Sequence, residues 1–210
     1  MREQQADGRL PEDDRIVVIH RRNRLFDDIF RIDEVEVTHS RLDGQGFIRN
    51  ARRLSFERGD SAAALIHNVE TDSVVLTEQF RLPTYEKGPG WMVEAIAGAI
   101  DAGETPEQCI RREMMEELGF RAGPLEVIGA FYASPGGSSE RIFLFYAPVR
   151  SADLVDPSAA GLGEQQEDIK RITIPRADFV RNCIAGQYVD AKLLIAGLWL
   201  AAGGLRGQGG

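Results

Sequence analysis

The sequence predicts an α/β protein: strands and helices mixed in one main domain, preceded by an N-terminal β segment. Three observations carry that expectation. Apolar runs of strand length, bounded by Gly, Asp, Asn and Pro, recur from Arg15 onward and again around 125–149. Helical periodicity with start and stop signals appears in one segment between those runs and in two more near the C-terminus. A chain of 210 residues that is 43% hydrophobic and 28% charged can bury a real core as one ordinary domain.

Taken in order, residues 1–14 are polar and charged and are expected to form a flexible tail. Residues 15–58 read as β structure, with "RIVVIH", "LFDDIFRIDEVEV" and "FIRNARRLSF" as strands and "LDGQG" at 42–46 as a turn. Arginine is dense here, at Arg21, Arg22, Arg24, Arg49, Arg52 and Arg53. The main domain is expected over 59–202. It opens with two strands around the turn "VETDS", followed by "GPGWMVEAIAG", a loop entering a strand. A helix follows at 105–118, and then the strand pair of "LEVIGAFYASPGGSSERIFLFYAPV", interrupted by glycines. Residues 151–166 form a long loop of Ser, Ala, Gly and acids, a kind that is usually functional or disordered. The strand "IKRITI" precedes two helices. The first follows Pro175 and stops at Gly186; the second starts at Asp190 and stops at Gly203. Residues 203–210 read as a flexible glycine-rich tail.

Composition narrows the function classes. A net charge of −8 argues against a nucleic-acid or anionic-membrane partner. An acidic protein that handles an anionic substrate must bring its own arginines or metal cations. No apolar run reaches the length of a membrane span. The start "MREQQADGRLPEDDR" has no apolar centre, so no secretory leader is expected. Cys109 and Cys183 give neither a disulfide framework nor a zinc spacing, so a cytoplasmic setting is expected. The histidines His20, His39 and His67 are scattered among strands, where a structural or exposed role is the ordinary one.

The chemistry concentrates in "GAIDAGETPEQCIRREMMEELGF", residues 98–120. Thr105, Pro106 and Gln108 form a capping-box start, and Gly119 is a left-handed stop. At roughly 100° per residue, Glu113, Glu116 and Glu117 fall within about 100° of arc. Beside them runs the apolar stripe Ile110, Met114, Leu118. Carboxylates bordering a buried stripe repel more than exposed ones, and hard oxygens so placed suit Mg²⁺ or Mn²⁺. The alternative on the helix alone is an exposed acidic face paired to Arg111 and Arg112.

This stretch resembles the Nudix box, G-x5-E-x7-R-E-U-x-E-E-x-G-U with U a bulky aliphatic or aromatic residue. The matching positions are Gly98, Glu104, Arg112, Glu113, Met114, Glu116, Glu117, Gly119 and Phe120. The resemblance implies an α/β/α sandwich and Mg²⁺-dependent hydrolysis, with Mn²⁺ as an alternative ion, of a nucleoside diphosphate linked to another moiety. It implies Glu113 and Glu117 as the principal metal ligands, Glu116 as a further ligand or supporting acid, and the carbonyl of Ala97 completing the set. Arg112 would orient the glutamates, and Glu104 would hold the loop.

The flanking segments "FERGDSAAALI", "VVLTEQFRLPTY", "GWMVEAIAG", "ASPGGSSER" and "EQQEDI" are similar to the ADP-ribose and nucleotide-sugar hydrolase branch of that family. A proline fifteen residues past the box marks the branch, and Pro135 stands fifteen after Phe120. On this resemblance Arg53, Arg81, Glu94, Gly98, Pro135, Gly136 and Glu140 are the substrate-binding candidates. Arg81 would clamp phosphate, against the alternative of a surface arginine at a strand end. The "SPGGSS" backbone either approaches substrate or forms a plain hairpin turn. Trp91 offers a stacking surface, although tryptophan in β structure is more often core. Glu167 matches a further metal ligand. Where relatives carry a glutamate as general base this chain has Gln165, leaving Glu164, Glu167 or a metal-activated hydroxide for that role.

The branch also implies a homodimer whose N-terminal strands exchange, Arg53 being the best-placed residue to reach the partner's site. Of the substrates, ADP-ribose, cleaved to AMP and ribose 5-phosphate, is favoured on "RRLSFERGDSAAAL" and "SPGGSSER". GDP-mannose or another nucleoside diphosphate sugar is the alternative. A different class, an ADP-ribose-binding sensor without catalysis, usually has a degraded box or a DNA-binding helix pair. Here the box is intact and the C-terminal helices are not basic. Pro135 and the N-terminal segment argue against a nucleoside triphosphate or isoprenoid diphosphate substrate.

Overall fold

The computed structural model describes residues 14–159 and 168–204. The described residues form two compact units, 14–58 with Ser134–Glu140, and 59–133 with 141–159 and 168–204. The segment Ser134–Glu140, read from sequence as part of the main domain, thus belongs to the N-terminal unit.

The N-terminal unit is a three-stranded antiparallel sheet in the order β1-β2-β3. Its strands are β1 (Val17–Asp27), β2 (Arg31–Ser40) and β3 (Phe47–Glu57). The stretch "LFDDIFRIDEVEV", expected as one strand, turns at 28–30 and supplies parts of two. There the Asp28 amide donates to the Phe30 carbonyl at 3.0 Å and its carboxylate accepts from the Ile29 amide at 2.8 Å, local bonds that accompany the turn. The arginines have partners on the sheet itself. Asp33 on β2 is buried and accepts from both Arg22 and Arg24. These bonds, that of Arg24 first, hold the Asp33 carboxyl below its ordinary range. Glu34 pairs with Arg21 and Arg52. β1 is exposed along its whole length, including Val17, Val18 and Ile19.

The second unit is a mixed seven-stranded sheet. β4 (Ser61–Asn68) lies parallel to β9 (Arg141–Val149) and antiparallel to β5 (Ser73–Phe80). β8 (Glu126–Tyr132) and β10 (Lys170–Pro175) close the two sides, giving the order β10-β5-β4-β9-β8. The segment "WMVEAIAG" is two short strands rather than one. β6 (Trp91–Glu94) pairs with β5, and β7 (Ile96–Ala99) pairs with β4. The break falls at Ala95, whose amide leaves the ladder and donates to the Asp190 carboxylate at 3.0 Å. A short helix not expected from the sequence, α1 (Leu82–Tyr85), begins at a proline turn beyond β5.

Alternation along β4 builds two cores. Ala62, Ala64 and Ile66 face α2 (Pro106–Leu118), where Cys109, Ile110, Met114 and Leu118 pack with Phe145 and Val149. Ala63 and Leu65 face the opposite layer of α3 (Arg176–Ile184) and α4 (Ala191–Ala201), with Phe179, Leu193 and Ala196. Helices on both faces of a mixed sheet make the expected α/β/α sandwich. No helix among the described residues is long and apolar enough to cross a membrane.

Candidate active site

α2 begins as its sequence requires. The Thr105 hydroxyl accepts from the Gln108 amide at 3.2 Å, and the Gln108 side chain accepts from the Thr105 amide at 2.8 Å. It ends at Gly119, with φ of 69°. There a Cβ would lie 1.7 Å from the Asp156 carbonyl oxygen, so only glycine fits both the conformation and the space.

This frame fixes the glutamates at graded depths. Glu113 is buried, Glu117 is half-buried with Oε2 shielded from solvent, and Glu116 is exposed. Burial pushes the Glu113 carboxyl above its ordinary value, against the pull of the neighbouring Arg112 cation. Gly98 on β7 makes room for it, since a Cβ there would stand 1.8 Å from Glu113 Oε1. Gly98 and Ala97 sit in β7 opposite Ala62 and Ala63, so the strand next to the glutamates is pinned to the central one.

Arg112 joins the carboxylates. Its Nε and Nη2 donate to Glu104 at 3.1 Å each, and Nη1 donates to Glu113 at 2.7 Å and to Glu116 at 3.3 Å. Nη2 also reaches the Ala99 carbonyl at 3.3 Å. Planar geometry and permanent charge suit arginine to this fork. Glu104 in turn accepts from the Asp101 amide at 3.1 Å, tying the loop before α2 to the same guanidinium. Arg111 points elsewhere, to Glu107 and the Ala122 carbonyl.

A second charged group stands beside β6. Arg81 Nε donates to Glu94 at 2.7 Å, and Lys192 at the start of α4 lies 3.5 Å from Glu94 and 2.8 Å from Asp190. Sequence reasoning missed Lys192. Its contact with Glu94 bridges 98 positions of chain, and the only local signal is the Asp190 cap two residues before it. Arg81 lines a cleft of ≈ 380 Å³ with Phe80, Trp91 and Lys170. Trp91, for which a core position is the commoner role, is 60% exposed.

Arg53, Pro135, Gly136 and Glu140 belong to the N-terminal unit. The Arg53 guanidinium donates to the Arg52 carbonyl at 2.9 Å. The "SPGGSS" loop is more than a hairpin turn. The Gly137 carbonyl accepts from the Phe56 amide at 2.8 Å, and the Ser139 amide donates back to Phe56 at 3.1 Å, pairing the loop with the end of β3. Glu140 pairs with Arg58 at 3.7 Å. Glu164, Gln165 and Glu167 lie outside the described residues.

A capped helix thus holds three carboxylates at graded depths, Glu113 against Gly98, with one arginine joining Glu113 and Glu116 to Glu104. The chain matches the NUDIX domain family over residues 57–181. It is 35% identical over 183 residues to the GDP-mannose pyrophosphatase of Enterobacter sp. (strain 638), covering 86% of this chain and 93% of that protein. It is 35% identical over 173 residues to the protein of that name from Cronobacter sakazakii, covering 81% and 87%. To that from Pectobacterium atrosepticum it is 37% identical over 152 residues, covering 71% and 76%. The chain belongs to the Nudix family, and its enzymatic class is that of the Nudix pyrophosphatases.

Hydrolases of this family generally need a divalent metal, and the residues here fit one on donor chemistry. Glu113, Glu116 and Glu117 supply hard oxygens at the edge of a core, and Gly98 leaves the approach to Glu113 clear. Among the described residues no three His, Cys, Asp or Glu side chains already converge as a metal cage. Glu104, Glu113 and Glu116 are turned toward Arg112 instead.

Proposed function

We propose that this chain hydrolyses the pyrophosphate bond of a nucleoside diphosphate sugar, GDP-mannose first among them, giving GMP and mannose 1-phosphate. The observation that carries the reaction class is the grip of Arg112 on Glu104, Glu113 and Glu116 beside Gly98. The names of the relatives support the choice of sugar nucleotide. ADP-ribose is the second reading, favoured by the segments "RRLSFERGDSAAAL" and "SPGGSSER".

In this reading Glu113, Glu116, Glu117, Glu167 and the Ala97 carbonyl hold Mg²⁺. The bound cation would offset charge on the pyrophosphate and lower the pKa of water. The chain's own residues do the rest. Arg112 keeps the α2 carboxylates and the loop at Glu104 in one arrangement. Arg81, oriented by Glu94, offers its remaining guanidinium nitrogens to phosphate oxygens. Glu164 or Glu167 accepts the proton of the attacking water, which Gln165 cannot do. A homodimer with exchanged N-terminal strands, Arg53 reaching toward the partner's substrate, is part of the proposal. The exposed apolar residues of β1 support it.

The test is a panel of GDP-mannose, ADP-ribose, ADP-glucose and dinucleotides with Mg²⁺, reading released monophosphate. GDP-mannose is expected to give the highest kcat/KM. Higher kcat/KM for ADP-ribose favours the second reading, and no cleavage of any member refutes both.

A further inference from the structure

We propose that Asp190 is a positioning residue for the active site. Through its bond to the Ala95 amide it fixes the elbow between β6 and β7, and with it the placement of Glu94, Ala97 and Gly98 relative to Glu113. The proposal rests on the reading of the site as a metal-dependent sugar nucleotide hydrolase, in which Arg81 and the Ala97 carbonyl have the roles given above.

The elbow fills a fork in the sheet. β4 and β5 pair over 66–68 and 73–75. Beyond that point β5 takes β6 along 77–80, while β4 takes β7 along 61–64. Ala95 stands at the apex, outside both ladders, and is 2% exposed. A backbone amide held away from water requires an acceptor. Asp190 Oδ2 supplies it at 3.0 Å, from 95 positions along the chain.

Alternation continues through the elbow. Val93, Ala95 and Ala97 pack in the core beneath α3 and α4, and Ile96 packs in the core beneath α2. Glu94 and Gly98 therefore share the α2 face with Ile96. On that face there is little slack, since a Cβ on Gly98 would stand 1.8 Å from Glu113 Oε1. A shift at the apex is carried into both arms, to Glu94 with its Arg81 and to Gly98 beside Glu113.

The Asp190 carboxylate is 6% exposed, and its two oxygens have separate tasks. Oδ2 faces Ala95. Oδ1 accepts from the Lys192 amide at 3.1 Å, capping α4, and from the Lys192 ammonium at 2.8 Å. That ammonium lies 3.5 Å from Glu94, whose other oxygen accepts from Arg81 at 2.7 Å. The start of α4 thus holds the elbow twice, by the backbone at Ala95 and by the side chain at Glu94. A helix cap needs one acceptor, which serine, threonine or asparagine supplies as well. A carboxylate turns acceptor oxygens toward donors on both sides, and the second oxygen marks Asp190 as more than a cap.

The test uses the full chain and reads two quantities below the thermal midpoint of every variant. One is kcat with GDP-mannose and Mg²⁺. The other is affinity for Mn²⁺ without substrate, from the loss of the free-ion paramagnetic resonance signal. In Asp190→Asn the one remaining oxygen is drawn to the two donors of Lys192, which leaves the side-chain NH₂ against the Ala95 N–H. We expect kcat to fall by about 100-fold and Mn²⁺ affinity by about tenfold. Leu193→Ala, at a fully buried position on the same helix, loosens the packing of α4 and leaves the Ala95 bond in place. It is expected to lower the thermal midpoint at least as far, with kcat and Mn²⁺ affinity near those of the wild type. Should Asp190→Asn not fold, Asp190→Ser, whose single hydroxyl keeps the cap, is read in the same way. Wild-type kcat and Mn²⁺ affinity in the Asp190 variant overturn the proposal and leave the hydrolase reading standing. Equal losses in Leu193→Ala overturn it too, since Asp190 would then act through stability alone. If the wild type cleaves no sugar nucleotide, the hydrolase reading falls, and the Mn²⁺ affinities alone decide on Asp190.

Discussion

At the scale of single residues, the site depends on an absent side chain as much as on the charged ones. Glu113 occupies the space a Cβ on Gly98 would fill, at 1.8 Å. Gly98→Ala must therefore push the carboxylate aside, and a displacement of about 1 Å costs about 100-fold in turnover. We expect kcat to fall by that order while circular dichroism stays unchanged; full activity in the alanine variant would contradict the packing described. The sequence displays Gly98 as part of a pattern. It does not display the reason, because the contact joins β7 to α2 and exists only once both are packed on β4. Helical spacing alone places the three glutamates on one arc, whereas their order of burial, Glu113 deepest and Glu116 exposed, comes only with the sheet. Trp91 shows the limit of local reading. Nothing in "GPGWMVEAIAG" tells whether the ring turns into the core or out of it, since that depends on how Gly90 and α1 bend the chain.

At the scale of elements, α2 is the most self-explanatory part of the protein. Its cap, apolar stripe and glycine stop are all written within thirteen helical residues and their flanks. Thr105→Ala removes one side of the capping box and should cost about 1 kcal/mol. A shift of the urea midpoint with an unchanged slope would show it, and kcat should be retained. Gly119→Ala is the harsher change, because the left-handed backbone and the Asp156 carbonyl at 1.7 Å both oppose a side chain. A loss of about 1–3 kcal/mol is expected, read in the same unfolding experiment. The strands are less legible. Two predicted runs divide, at 28–30 and at Ala95, in different ways. A turn with bonds confined to Asp28, Ile29 and Phe30 interrupts the first, whereas at the second the Ala95 amide bonds to Asp190 on a distant segment. The short helix after β5 carries no periodicity long enough to detect.

At the scale of the whole molecule, a polar chain running from the core to the surface ties the far end of the sheet together. His67 on β4 bonds Tyr146 on β9 at 2.6 Å and Asp72 at 2.9 Å, and Asp72 accepts from Arg176 at the start of α3. Tyr146 is held neutral by burial, its pKa pushed up to about 12. Burial likewise lowers the His67 pKa. The folded state then keeps His67 neutral at pH values where the unfolded chain, with an imidazole pKa of about 6.5, already binds a proton. Stability from this group is full above that value and is lost as pH falls through the lower folded one. Asp72, held low chiefly by its bond to Arg176, adds a loss of the same sign further into acid, below about pH 4. Replacing His67 by Gln should flatten the fall in thermal midpoint that begins below about pH 6.5 and leave the more acidic limb in place. An unchanged slope would exclude His67 as its source.

The central claim is hydrolysis of a sugar nucleotide by the carboxylates of α2. It is tested most directly by following GMP release from GDP-mannose, with and without Mg²⁺, for the wild type and Glu117→Gln. The account predicts Mg²⁺-dependent release by the wild type and none above background by the variant, whose unfolding midpoint stays near that of the wild type. Undiminished release by Glu117→Gln, or no release by the wild type with Mg²⁺ present, would contradict it.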